Sequence, residues 1–263
     1  MGTKLANAPV YFTLAQVVFN SIASLDSYAP AIQDRLRKKG FPDYKNVITG
    51  TFSLMPPTPE AVPQMASQTV MQHHFFDMGL TAGYVVESNS LAYMTTQYDV
   101  FETFLDRLLD GVAVLSDVFG GLSFIDRIGF RMLDAVIPDQ GKSLKDYLDP
   151  SVIGIAHKVG DGKGLAFSES RIIFERTQAI ARCFIQEGLI GFPPDLTGGN
   201  GLRLADRFQG NKGRYAILDS DAFIAERKEF NLDALKEDII QIKDAVSTIF
   251  RATVTSDALD SWR

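Results

Sequence analysis

SFIDRIGFRMLDAVIP, residues Ser123 to Pro138, alternates apolar and polar side chains with a period of two. This period is typical of a β-strand with one buried face and one polar face. Arg127 and Arg131 share the polar face, and Asp126 and Asp134 flank them closely enough to neutralise their charge. The stretch therefore predicts a strand whose two arginines form salt bridges with carboxylates.

The composition indicates a folded protein with one large domain or two small ones. The 263 residues are 46% apolar and 22% charged, so the chain can bury a sizeable core. The formal net charge of −6 and the isoelectric point near 5.1 disfavour a nucleic-acid partner. The single cysteine, Cys183, excludes an internal disulfide and a cysteine-based zinc site. No run reaches the ~18–20 apolar residues of a membrane span. The N-terminus also lacks the features of a secretion signal, so we expect a cytoplasmic protein without a membrane partner.

Strand and helix patterns continue from the opening stretch towards the N-terminus. Asp99 and Glu102 form a predicted capping box at the start of the clearest helix, which ends at Gly120. An earlier helix is predicted over Ser27–Gly40. The proline-rich segment Met55–Pro63 predicts an exposed connection. The strands predicted in this half are Val10–Asn20, Val47–Leu54, Thr69–Met78, Thr81–Glu87 and Leu91–Thr96.

The second half of the chain repeats this arrangement loosely. A last long helix begins at Asn231, its predicted N-cap, and carries an aliphatic stripe to Ile249. Runs of strands that are each closed by one long amphipathic helix favour an α+β fold with antiparallel sheets. We place the two halves at residues 1–150 and 151–263, with one continuous domain as the alternative. No convincing residue-level repeat relates the halves, so a structural duplication stays open. The strands predicted here are Leu165–Glu175, Gln178–Glu187 and Tyr215–Ala225.

Several motifs together resemble a family of sporadically distributed, functionally uncharacterised prokaryotic proteins of about this length. They are LANAPV (Leu5 to Val10), LAYMTTQYDVFETF (Leu91 to Phe104), DRIGFRMLDAVIP (Asp126 to Pro138), DYLDP (Asp146 to Pro150) and a C-terminal helix ending near Phe250. The resemblance covers nearly the whole chain and brings no established catalytic residues. It implies a bacterial or archaeal cytoplasmic accessory protein, with a mobile or defence-associated gene cassette as one setting.

Two groups of charged residues could form a site. Asp219 and Asp221 alternate within a predicted strand, so both carboxylates lie on one face. Such a pair can bind a divalent cation or act in acid–base catalysis, but it also keeps an edge strand from aggregating, which is the favoured interpretation. Arg127 and Arg131 could bind a carboxylate or phosphate group, whereas a structural ion-pair network, which we favour, needs no ligand.

The histidines give weaker signals. His73 and His74 are adjacent in a predicted strand and point to opposite faces, so they cannot bind one metal ion from there. His157 precedes a glycine-rich turn and is read as part of a polar loop. Gly141-Lys142-Ser143 lacks the upstream glycine of a phosphate-binding loop. We therefore predict no cofactor.

Two functions from different classes remain. The favoured hypothesis is a non-enzymatic protein-binding or regulatory component, whose partner is another protein, either a second copy or a neighbouring gene product. The alternative is a small metal-dependent hydrolase that uses Asp219 and Asp221 with His73 or His157. The region from Asn231 to Trp262 has more apolar surface than a chain end normally carries, which predicts a homodimer. Folding of this tail back onto its own sheet is an equally weighted alternative.

Overall fold

A computed structural model describes residues 5–54, 65–159, 165–196 and 201–263. The predicted connection Met55–Pro63 lies outside the described residues. Within them, all strands belong to one antiparallel sheet, which confirms the α+β class. The strands are β1 (Val10–Phe19), β2 (Asp43–Leu54), β3 (Met65–Phe76), β4 (Ala82–Glu87), β5 (Ser90–Thr95), β6 (Phe124–Val136), β7 (Ala166–Phe174), β8 (Thr177–Glu187), β9 (Arg214–Ile224) and β10 (Lys228–Glu229).

The strand order places the opening stretch at the centre of the sheet. The order is β2-β3-β4-β5-β1-β6-β9-β8-β7, and the short β10 also pairs with β6. β6 is bonded to β1 on one side and to β9 on the other, both in antiparallel register. β2 and β7 are therefore the two edges of the sheet in the described chain.

Long helices cover one face of the sheet, which we call the helical face. The helices are α1 (Leu25–Lys38), α2 (Phe101–Phe119), α3 (Leu144–Tyr147), α4 (Pro150–Ile153), α5 (Ala156–Val159), α6 (Leu232–Thr253) and α7 (Ser256–Ser261). Helices α1, α2 and α6 pack on the sheet through their apolar stripes, with Ile32, Leu108 and Ile239 fully buried. The long helices α2 and α6 each follow a run of strands, as predicted.

Two successive stretches of the chain, residues 10–119 and 124–253, follow one topological plan, and they do not coincide with the predicted halves because β6 lies before residue 150. Each begins with a central strand, β1 or β6, and ends with a strand that returns to pair with it, β5 or β9. A long helix, α2 or α6, then follows. The two central strands pair with each other, so the sheet runs without interruption from the first stretch into the second. The division near residue 150 stays a prediction, because the sheet itself shows no break.

The second face of the sheet is covered in part by residues 188–196 and 201–213, and we call it the loop face. Phe192 packs edge-on against Phe12 with 5.2 Å between ring centroids. The Tyr11 hydroxyl donates a hydrogen bond to the Gly191 carbonyl over 3.0 Å. The Thr96 hydroxyl donates to the Arg203 carbonyl over 2.6 Å. These contacts hold the loops on the half of the sheet around β1 and β5.

The helix ends test the capping residues that the sequence predicts. Asn231 accepts a hydrogen bond from the Ala234 amide, which confirms the predicted cap of α6. The predicted capping box of α2 is wrong, because α2 begins at Phe101 with Val100 as N-cap and without a side-chain cap. Gly120 ends α2 in the left-handed conformation, as predicted.

The C-terminal tail folds back onto its own chain. Trp262 is 8% exposed, and its ring lies 6.0 Å from both Tyr147 and Phe250, measured between ring centroids. The Asn7 amide donates to the Trp262 carbonyl over 2.9 Å. The equally weighted alternative is thus the one observed, and the tryptophan is not an exposed anchor. A homodimer through this region stays a prediction.

We expect Gly111→Ala to destabilise the fold by about 1–3 kcal/mol, although alanine favours a helix over glycine. A Cβ at Gly111 would overlap the ring of Tyr84, whose hydroxyl is held by the Arg107 carbonyl at 2.5 Å. Urea denaturation measures the change. Gly191→Ala is the matched control, since no atom lies within 4 Å of its added Cβ. Equal stability of the two variants would show that α2 does not pack this closely on β4.

Candidate functional site

Arg131 is the centre of a buried ion-pair network on the loop face. Its guanidinium donates two hydrogen bonds of 2.8 Å to the carboxylate of Asp219, which is completely buried. The same guanidinium contacts Asp195 in the covering loop at 2.5 Å. Arg182 approaches Asp219 at 3.1 Å and also contacts Glu169 at 2.9 Å. The Asp219 carboxylate is therefore bound by two arginines from neighbouring strands.

Arg127 lies on the same face as Arg131 but has a different environment. Its guanidinium lies over the ring of Phe223, 4.5 Å from the centroid, and approaches the Gln16 side-chain oxygen at 3.4 Å. No carboxylate of the described residues forms a salt bridge with it. Asp126 instead pairs with Arg227 at 2.6 Å. Of the two arginines, only Arg131 therefore forms salt bridges with carboxylates, and its partners are Asp219 and Asp195 rather than the flanking Asp126 and Asp134.

Asp219 and Asp221 lie on one face of β9, as the alternation predicts. Asp221 is opposite Arg131 in the β6–β9 register. Burial raises the pKa of the Asp221 carboxyl, and the charges of Arg131 and Arg127 oppose that shift. The described residues contain no group of three histidine, cysteine, aspartate or glutamate side chains that could hold a metal ion. This face consequently combines the buried carboxyl of Asp219 and the half-buried carboxyl of Asp221 with three arginines of opposite charge.

His73 and His74 lie on β3, far from these carboxylates on β9. His73 faces the helical side, where its ring nitrogens contact the Tyr44 hydroxyl at 2.9 Å and Asp26 at 3.0 Å. Five strand spacings separate β3 from β9, which is about 24 Å. His74 faces the other side, and burial lowers its pKa to about 4. His157 lies in α5. The structure does not bring His73 to Asp219 and Asp221.

A cavity on the helical face is lined by Asp134, which the sequence had suggested as a salt-bridge partner of the arginines. The cavity has a volume of about 880 Å³ and lies between the N-terminal end of α2, the length of α6 and the strands β1 and β6. Asp134 lines it and is 4% exposed, and no described residue donates a hydrogen bond to its carboxyl. Burial raises the pKa of Asp134 to about 7. Burial also raises the pKa of Tyr98, and the charges of Glu102 and Asp134 add to this effect.

Asp134 could have been recognised from its position in the alternation. Asp134 is separated from Ile128, Phe130 and Met132 by even numbers of residues, so it points to the same apolar face of the strand as they do. A carboxyl at such a position lies in the core rather than beside the arginines of the other face. Lys236, Lys243 and Arg251 from α6 lie at the same cavity.

Most residues of the edge strand β7 are exposed, and none is fully buried. Phe167 is 59% exposed and Ile173 is 74% exposed. Both occupy positions in the strand's alternating pattern that would be buried in a strand with one face on the core. Glu169 and Arg171 lie between them on the same face and contact each other at 3.1 Å. We refer to Phe167, Glu169, Arg171 and Ile173 as the β7 edge row.

Comparisons with known proteins add no assignment to this geometry. No family model matches the chain, and a search of curated proteins returns no match. Among the described residues, no helix is long and apolar enough to span a bilayer.

Replacing Arg131 with Met should destabilise the protein by about 3–5 kcal/mol, because it leaves Asp219 buried without its bidentate partner. Arg127→Met should cost about 0.5–1 kcal/mol, the value of an exposed cation–π contact. Urea denaturation of both variants measures the difference. Equal losses would contradict the structural role of the Arg131 network.

Replacing Asp134 with Asn should stabilise the protein at pH 8 by up to about 4 kcal/mol. The folded-state pKa of Asp134, about 7, lies above its ordinary value of 3.8. The wild-type protein therefore loses stability as the pH rises from about 4 to about 7, and the asparagine variant does not. Melting temperatures of both proteins across this range measure the effect.

Asp126→Asn is the matched control on the same strand. Arg227 lowers the pKa of Asp126 through a hydrogen bond, so this variant should be slightly less stable than wild type at pH 8. If Asp134→Asn is no more stable than wild type at pH 8, Asp134 is not buried without a partner.

Proposed function

We propose that this chain is a non-enzymatic protein-binding component of a prokaryotic accessory system, and that β7 is its docking strand. The proposal rests on one observation: the apolar residues of the β7 edge row are exposed in the single chain. The resemblance noted in the sequence supports the cytoplasmic, prokaryotic setting, with defence-associated systems among the candidates. The proposal needs no cofactor.

An open sheet edge is an efficient site for another polypeptide. One side of the nine-residue strand β7 is bonded to β8, and no strand of the described residues occupies the other side. The unpaired amides and carbonyls there can bond to an extended segment, while side-chain contacts select it. Natural edges usually carry charges or prolines that prevent such pairing. The charges of β7, Glu169 and Arg171, neutralise each other and leave the apolar side chains accessible.

Further exposed apolar residues lie near this edge in the chain and in the fold. Helix α4 packs against β7, and the Ser168 hydroxyl donates to the Val152 carbonyl over 2.9 Å. The exposed apolar residues within the strand or shortly before it in the chain are Ile155, Val159, Leu165 and Ile172.

The hydrolase alternative receives less support from the geometry. Its carboxylate Asp219 is bound by Arg131 and Arg182, and Asp221 lies on the far side of the sheet from His73. A metal ion would have to compete with two guanidinium groups for Asp219. No observation on the described residues favours that arrangement over the ion-pair network.

Ile173→Lys should abolish partner binding without loss of stability, because the side chain is already exposed. The tagged wild-type protein and the variant are isolated from the native host, and the recovered partners are compared. Ile48→Lys is the matched control, since Ile48 is 66% exposed on the opposite edge strand β2. Recovery of the same partners by all three proteins would contradict the assignment of β7.

A further inference from the structure

We infer that the segment that pairs with β7 is β7 of a second copy of this chain, antiparallel and centred on Ser170. This inference rests on the proposed function, in which β7 is the docking strand, and it names the partner. A two-fold axis perpendicular to the sheet, midway between the two Ser170 residues, would join two sheets edge to edge and keep the loop faces on the same side.

The sequence of β7 is complementary to itself in this register. With Ser170 opposite Ser170 of the second copy, Glu169 faces Arg171 and Phe167 faces Ile173. The symmetry repeats each pair, so the β7 edge row forms two opposite-charge pairs and two apolar pairs. Directly opposed side chains of these kinds stabilise antiparallel strands. The apolar pairs would cover the 59% and 74% exposed side chains.

The other face of β7 agrees with the same register. Ser168 faces Ile172, and Ala166 faces Phe174, so a small side chain always meets a large one. Ile172 is also exposed in the single chain.

Neighbouring registers are unfavourable. A symmetric antiparallel pair is always centred on one residue, which lies opposite its own copy. The nearest alternatives to the Ser170 register are therefore centred on Glu169 or on Arg171. Centring on Glu169 puts two carboxylates opposite each other, and centring on Arg171 does the same with two guanidinium groups. Like charges that are directly opposed destabilise a strand pair. Charge complementarity thus selects the Ser170 register.

A cysteine at Ser170 tests the register. Opposed Cα atoms in an antiparallel pair are about 4.5–5.5 Å apart, within the range of a disulfide. Ser170→Cys should therefore give a covalent dimer on mild oxidation, read on a non-reducing gel. Ser168→Cys is the matched control, because its two copies would be at least about 13 Å apart and should not cross-link. The native Cys183 is 2% exposed and should not contribute.

Cross-linking of Ser170→Cys but not of Ser168→Cys supports the inference. Equal cross-linking of both, or of neither, overturns it.

Analytical ultracentrifugation separates this inference from the proposed function. Wild type and Ile48→Lys should be dimers at micromolar concentration, and Ile173→Lys should raise the dissociation constant at least about tenfold. If wild type is a monomer, or if Ile173→Lys remains a dimer, self-pairing through β7 is wrong. In that case, loss of host partners by Ile173→Lys would still support β7 as a docking strand for a different protein. Retention of those partners would show that the proposed function fails as well.

Discussion

The antiparallel pairing of β6 with both β1 and β9 is the constraint on which the rest of the structure depends. It joins the two halves into one sheet and sets the face to which each side chain points. A slip of one residue would place Arg131 under the helices and Phe130 against the covering loop. The bidentate contact between Arg131 and the buried Asp219 opposes such a slip, because it forms in one register only. The contact of Arg131 with Asp195 then ties the loop to the same strand.

Two buried aspartates of the same sheet, Asp219 and Asp134, lie in different electrostatic environments. The Asp219 carboxyl contacts the guanidinium groups of Arg131 and Arg182, which compensate its charge where it lies. Asp134 has no such partner among the described residues, and burial favours its protonated form near neutral pH. Their strands are adjacent, yet one carboxyl belongs to a rigid network and the other to the wall of a cavity. The difference follows from the face to which each residue points.

Much of the fold could be predicted from the sequence, because it depends on local patterns. Period-two alternation located the major strands, and Asn231 marked the start of α6. The partners of Arg131 could not be predicted in this way, since Asp195 and Asp219 lie 64 and 88 residues further along the chain. The capping box at Asp99 failed because the contacts of Phe101 and Phe104 with Phe130 determine where α2 begins to pack. Alternation in β7 likewise could not distinguish side chains that face the core from side chains that face a partner.

Amide hydrogen exchange in β7, measured as a function of protein concentration, tests the central claim most directly. About half of the amides in this strand point away from β8, and no strand of the described residues pairs with them. If β7 pairs with a second copy, these amides should become protected as the concentration rises, while the amides of the opposite edge strand β2 should not change. Exchange in β7 that is fast and independent of concentration would contradict the account.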